Sequence, residues 1–136
     1  MITAIDTNVL IDIFASDPIF GESSAQAVRT CLQQGSIHAC EVVFIETASV
    51  FPKYDTFLHA MQTLGIEFST IQKETLPVAS KAWHKYRNTG GKRERVVADF
   101  LIGSHALAQS DRLLTRDRGF YRHYFHSLNV IDPSKL

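Results

Sequence analysis

The chain alternates short apolar runs with longer amphipathic ones. MITAI is a brief, β-branched apolar run that stops at Asp6-Thr7-Asn8, residues typical of a strand end or a helix N-cap, so a strand followed by a helix is expected. Val9, Leu10, Ile13 and Phe14 keep helical spacing up to the Asp17-Pro18 turn, and a second helix is expected from about Glu22 to Gln33, closed by Gly35. SIHAC then reads as a short strand, and EVVFIETASVF as a helix that ends before Pro52. DTFLHAMQTLG puts Leu58, Met61 and Leu64 on one side, with Gly65 as its stop. GIEFSTI alternates as a strand through Ile66, Phe68 and Ile71, and LPVASKAWHKYRN lines up Ala79, Ala82, Trp83 and Tyr86 on a helix ahead of Gly90-Gly91. A helix containing Asp99, the strand RLLT, a short helix around Phe120 to Tyr124 and the strand LNVID complete the series.

Strands alternating with helices imply a sheet covered on both faces. The expected fold class is therefore α/β, a three-layer α/β/α domain with a central, mostly parallel sheet of about five strands. A length of 136 residues with 45% hydrophobic content fits one domain over residues 1–136, and no repeat, low-complexity tract or linker interrupts it. MITAIDTNVL lacks a basic n-region and carries Asp6 where a signal peptide needs an apolar stretch, and no uncharged run approaches the roughly 18 residues of a membrane span. A soluble, cytoplasmic protein without membrane contact is expected. Cys31 and Cys40 match neither a CxxC nor a nearby histidine pattern, which argues for small buried hydrophobes rather than a zinc site or disulfide. The six histidines are scattered and read as surface or structural residues.

The net charge is zero but unevenly distributed: residues 1–80 hold three basic and nine acidic side chains, and residues 85–122 hold nine basic and four acidic. Lys85, Arg87, Lys92, Arg93, Arg95, Arg112, Arg116, Arg118 and Arg122 would form a basic face for a polyanion if they cluster in space. A solvated face with salt-bridge partners fits the same composition.

The chemistry lies in the acids. In open α/β folds ligands sit beyond the carboxyl ends of the strands, near a topological switch point. Asp6 ends the first strand and Asp117 lies just past RLLT, so their carboxylates converge if those strands are neighbours. Asp99 interrupts the apolar run VVADFLIG, where a buried, unpaired carboxylate would cost several kcal/mol. It shares a helix face with Ile102, Gly103 and Ala106, small neighbours that would let the helix press against the sheet and turn Asp99 inward. Glu46 repeats the oddity between Phe44, Ile45 and Ala48. Two acids at strand ends and two in apolar helical runs suit hard oxygen ligation of Mg²⁺.

Each acid also has a plainer reading. Asp6 fits an N-cap, Asp117 a turn or cap, and Asp99 a salt bridge to Arg95 or Arg93. Glu46 fits a solvent-facing position, with Glu41 as a rival acid on the same helix. Their joint occurrence carries more weight than any one of them. TGGKRE lacks the glycine spacing and the hydroxyl residue of a phosphate loop, and no GxGxxG, GxSxG or HExxH is present.

IDTNVLID, the Glu46 helix, RVVADFLIGSHALA and LLTRDRGF, in that order between about residues 2 and 132, resemble the PIN-domain nucleases, most closely the VapC-type toxins of prokaryotic toxin–antitoxin pairs. The resemblance implies a parallel sheet flanked by helices and Mg²⁺- or Mn²⁺-dependent endoribonuclease activity on an RNA substrate. It also implies homodimerisation, inhibition by a cognate antitoxin, and contact with operator DNA only through that antitoxin. It places the family's acids on Asp6, Glu46, Asp99 and Asp117, with Asp6, Asp99 and Asp117 as metal ligands and Asn8 and Thr115 in support. Gly119 stands where some members carry a further acid, a departure that bears on any second metal. Lys92, Arg93, Arg95 and Arg116 are the candidates for gripping the RNA backbone. Two other functions fit: a stand-alone PIN nuclease acting on RNA or DNA, and a non-catalytic RNA- or protein-binding module. Phe14, Phe20 and Phe51 read as core residues before partner contacts.

Overall fold

The structure, a computed structural model of the chain, describes residues 1–90 and 96–136. Its elements run β1 (Ile2–Ile5), α1 (Thr7–Phe14), α2 (Gly21–Gln34), β2 (Ser36–Ala39), α3 (Glu41–Ala48), α4 (Tyr54–Leu64) and β3 (Ile66–Phe68). They continue with α5 (Leu76–Asn88), α6 (Val97–Gln109), β4 (Arg112–Leu114), α7 (Arg118–Tyr124) and β5 (Val130–Ile131), and short 3₁₀ turns span Lys73–Thr75 and Pro133–Lys135.

The strands make one sheet in the order β3-β2-β1-β4-β5, and every adjacent pair is parallel. Helices cover both faces of this sheet in an α/β/α arrangement. The central strands are accordingly buried on both sides: Thr3, Ala4 and Ile5 of β1 and all three residues of β4 are inaccessible to solvent or nearly so. In register, Thr3 lies between Ile37 and Arg112, and Ala4 between His38 and Leu113.

Local chemistry explains most element ends. Gly65 closes α4 in the left-handed conformation at φ 89°, a geometry that other residues adopt only with strain. β3 is shorter than the alternation in GIEFSTI implies. Glu41 at the start of α3 takes a hydrogen bond from the Ile71 amide and another from the Thr70 hydroxyl, each 2.8 Å long, and this pulls the chain away from the sheet.

The core is built on Ile5, Leu10, Val28, Ile37, Phe57, Phe100, Leu113 and Leu114. Phe100 of α6 is its aromatic hub, with ring centres 5.2 Å from both Trp83 and Phe120 and 5.3 Å from Tyr86. Ile102, Gly103 and Ala106 are buried as their spacing predicts. The reason for the glycine differs from expectation, because a Cβ on Gly103 would lie 2.4 Å from the ring of Phe125. That position makes room for an aromatic residue beyond α7. Phe14 and Phe51 pack against each other edge to face at 5.3 Å and border the core, whereas Phe20 is partly exposed.

Cys31 and Cys40 are buried free thiols. Among the described residues, no helix is long and apolar enough to cross a membrane. Arg112 departs from the expected basic face. Its place in β4 beside Thr3 turns it inward, where Nε donates to the Thr3 hydroxyl at 2.9 Å and the guanidinium also reaches Gln34 of α2.

Candidate active site

β2 and β3 lie on one side of β1, and β4 and β5 lie on the other. The winding order of the sheet therefore reverses between β1 and β4, and this class of fold places its ligands in the crevice beyond the carboxyl ends of two such strands. The Asp6 amide closes that junction with a 3.0 Å bond to the carbonyl of Leu114.

Asp6 leaves β1 into this crevice and is 6% exposed. Its Oδ1 accepts the Thr7 amide at 2.8 Å, and its Oδ2 accepts the Thr115 hydroxyl at 2.8 Å and the Asn8 side-chain amide at 3.3 Å. These donors are neutral. Burial pushes the carboxyl from 3.8 up to about 6; hydrogen bonds from Thr115, Thr7 and Tyr121 oppose that rise, and the charge of Glu46 adds to it. Asp6 therefore starts α1 as an N-cap and also faces the crevice.

The neighbouring polar groups knit both strand ends together. Asn8 Oδ1 accepts the Arg116 amide at 3.2 Å, Asn8 Nδ2 lies 3.3 Å from the Thr115 hydroxyl, and that hydroxyl oxygen accepts the Asp117 amide at 3.0 Å. Asn8 and Thr115 thus hold Asp6 and fix the turn that carries Asp117. Asp117 is half-buried at the N-cap position of α7, where its side chain makes no capping hydrogen bond to that helix.

Glu46 comes from α3. Its Oε1 accepts the Thr7 hydroxyl at 2.7 Å, which ties it to the residue next to Asp6. The apolar run around it is not a buried one, since Ile45 is 70% exposed and Glu46 itself is exposed. Glu41, its rival, is bound to Thr70 and Ile71 instead. Asp99 lies in the first turn of α6, half-buried, and its Oδ2 accepts the Val96 amide at 3.3 Å.

Tyr121, which the sequence motifs do not single out, bonds to Asp6 and lies within the field of Asp99 and Asp117. Its buried hydroxyl is driven well above the usual tyrosine range, first by burial and then by the charges of Asp6, Asp99 and Asp117, with a hydrogen bond to Asp6. One signal was available: Tyr121 follows Asp117 by four residues at the start of a helix, the spacing that puts two side chains on one face.

This oxygen-only donor set suits a hard divalent cation rather than zinc or copper. Among the described residues, no group of three or more His, Cys, Asp or Glu side chains is already gathered as a ready metal site. Ionised carboxylates repel one another unless a cation lies between them.

The basic candidates divide. Arg116 forks onto Asp12 of α1, with Nε to Oδ2 at 2.6 Å and Nη2 to Oδ1 at 3.0 Å, and its guanidinium lies 4.0 Å from the centre of the Phe20 ring. Arg118 pairs with Asp132 at 3.0 Å. Lys92, Arg93 and Arg95 lie outside the described residues. Asp12 is not among the acids that the motifs single out, although it stands between Ile11 and Ile13 as conspicuously as Asp99 stands between Ala98 and Phe100.

Solved structures share this architecture across nearly the whole chain. VapBC2 from Rickettsia felis, bound to a DNA fragment from its promoter, aligns with a TM-score of 0.76 at 18% identity, covering 97% of this chain and 98% of that one. VapBC-1 from nontypeable Haemophilus influenzae aligns at 0.75 and 18% identity, covering 99% and 100%. DNA-bound VapBC from Salmonella typhimurium aligns at 0.70 and 13% identity, covering 98% of each. At such identities the likeness is one of fold, and no curated protein matches the chain in sequence. The family model of the PIN domain matches residues 3–126, the stretch that runs from β1 through the acids at the β1–β4 junction to the end of α7, and the chain belongs to that family.

Proposed function

We propose that the chain is a metal-dependent endoribonuclease, the toxin of a VapBC-type toxin–antitoxin pair. The observation that carries this reading is Asp6: a carboxylate 6% exposed, held by neutral donors at the switch point of the sheet, with a pKa raised to about 6. Such a group favours a cation beside it over solvent-free ionisation alone. Asp99 and Asp117 act on the same Tyr121 hydroxyl as Asp6, which supports these three as the residues that would hold Mg²⁺ or Mn²⁺.

When bound, the ion would offset the carboxylates' charge and stabilise the negative charge that builds on the phosphate in the transition state. Glu46, steadied by the Thr7 hydroxyl, would orient the attacking water. Thr115 and Asn8 would keep Asp6 in its ligating orientation. Lys92, Arg93 and Arg95 would meet the RNA backbone. An antitoxin partner is supported by the solved structures that share the fold, which are VapBC complexes, two of them on DNA.

The test is cleavage of total RNA, including tRNA and ribosomes, by the wild type and by Asp99→Asn, each with Mg²⁺ or with chelator. Discrete fragments are expected only from the wild type with Mg²⁺, and Asp99→Asn should retain its fold by circular dichroism. Cleavage in chelator, or full activity of Asp99→Asn, would contradict the assignment. An inert wild type freed of inhibitor would point to DNA or to a binding module.

A further inference from the structure

The turn between β4 and α7 carries Thr115 and Asp117 to the end of the sheet, and a half-buried ion pair anchors it from outside. Asp12, 3% exposed, takes both arms of the Arg116 fork at 2.6 and 3.0 Å, and the Ser24 hydroxyl donates to the same Oδ2 at 3.1 Å. The segment between α1 and α2 closes over the pair. The Asp17 amide bonds to the Asp12 carbonyl at 2.9 Å, a Cβ on Gly21 would come within 3.0 Å of that carbonyl, and Phe20 lies under the guanidinium. Meanwhile the backbone of Arg116 reaches the other way, its amide donating to Asn8 Oδ1 at 3.2 Å. One residue thus grips the second turn of α1 with its side chain and the first turn with its main chain.

We propose that Asp12 and Arg116 are a positioning pair, whose fork clamps the β4–α7 turn so that Thr115 meets Asp6 and Asp117 faces the crevice. The pair touches no reacting atom. It acts through the two amides it registers, Arg116 on Asn8 and Asp117 on Thr115. A planar guanidinium suits this task because it holds both carboxylate oxygens at fixed angles, whereas an ammonium is a point charge. The same geometry sets Arg116 apart from the RNA-gripping candidates: a phosphate would have to displace a buried carboxylate from two of its nitrogens.

The kinetic part of the test rests on the nuclease reading; the structural part does not. Asp12→Asn, Arg116→Gln, Arg116→Lys and the double variant Asp12→Asn/Arg116→Gln are compared with the wild type. The double variant exchanges the ion pair for an amide pair without leaving one charge buried alone. The first measurement is amide hydrogen exchange. The Arg116 and Asp117 amides should exchange at least about tenfold faster in every variant, while the Leu113 and Leu114 amides in β4 keep wild-type protection. The second is the split between kcat and KM for RNA with Mg²⁺. A fall in kcat of about tenfold with KM unchanged is expected, with the double variant no worse than the worse single one.

Unchanged exchange at Arg116 and Asp117 would overturn the proposal. So would acceleration shared equally by Leu113 and Leu114, which would make the pair a general stability element. A KM raised by Arg116→Gln but not by Asp12→Asn would make Arg116 an RNA contact instead. If the wild type cleaves nothing, the nuclease reading falls and the exchange data alone decide the role of the pair.

Discussion

Asp6 and Asp12 are the same residue type at the two ends of one short helix, both are buried, and they solve the cost of burial in opposite ways. Asp12 has a cation of the chain's own: the Arg116 fork binds both of its oxygens, and that bond in turn raises the Arg116 pKa. Asp6 is held by an amide, a carboxamide and the hydroxyls of Thr115 and Tyr121, all neutral, and feels another acid in Glu46. Neutral donors orient a carboxylate without cancelling its charge. The first arrangement cancels the charge within the chain, and the second leaves it uncancelled, as the proposed metal site requires.

The largest effect is expected from stripping the internal pair. Asp12→Ala leaves the Arg116 guanidinium beside an apolar hole, and a loss of about 3 kcal/mol is expected in urea unfolding. That is the low end of the usual range for breaking a buried pair, because the Arg116 side chain is 31% exposed and gains some water. A loss below about 1 kcal/mol would mean that the fork contributes no more than a surface pair.

Asp6 should respond with the opposite sign. Its folded pKa, about 6, lies above its ordinary value of 3.8, so on ionisation the folded state is penalised relative to the unfolded chain. Stability from this group is fully present below about pH 4, falls as the pH rises through 6, and the deficit reaches roughly 3 kcal/mol above that. In chelator, Asp6→Asn should therefore stabilise the protein at pH 7.5 and make no difference at pH 4. Equal effects at the two pH values would remove burial as the cause.

A divalent cation should relieve the same deficit. Mg²⁺ or Mn²⁺ at a hundredfold excess over its dissociation constant would add about 2.7 kcal/mol and a matching rise in Tm at pH 7.5. The shift should shrink below pH 6, where Asp6 takes up its proton, and should vanish in Asp6→Asn. An unaltered shift in that variant would take Asp6 out of the metal's reach. The smallest effect is expected at the periphery. Thr7→Val removes the 2.7 Å hydrogen bond to Glu46, and since Glu46 is exposed and can turn to water, a change of about 1 kcal/mol in stability is expected by thermal unfolding.

Much of this was readable along the chain. The alternation of MITAI, SIHAC and RLLT with periodic helical stretches carried the order of elements, and the turn residues Asp17-Pro18, Gly35 and Gly65 marked their ends. The placement of Asp6 and Asp117 beyond two strand ends came from the same reading. Less legible was the environment of each acid. Asp99 and Glu46 both interrupt apolar runs, yet one is half-buried and the other exposed, because a run of apolar letters does not say which face of a helix meets the core.

Interactions between neighbours along the chain set the α/β order and the strand and helix ends, and they mark two acids just past strand ends and two more inside apolar helical runs. The partner that each of these groups meets is settled only on folding. Asp6 meets Thr115 across 109 positions, Asp12 meets Arg116 across 104, and Thr7 meets Glu46 across 39. Those contacts exist because β1 lies between β2 and β4 in the sheet. Periodicity within each segment reports burial along that segment and holds no record of which strand lies beside which, so the distinction between a carboxylate with its own cation and one without it appears only on folding.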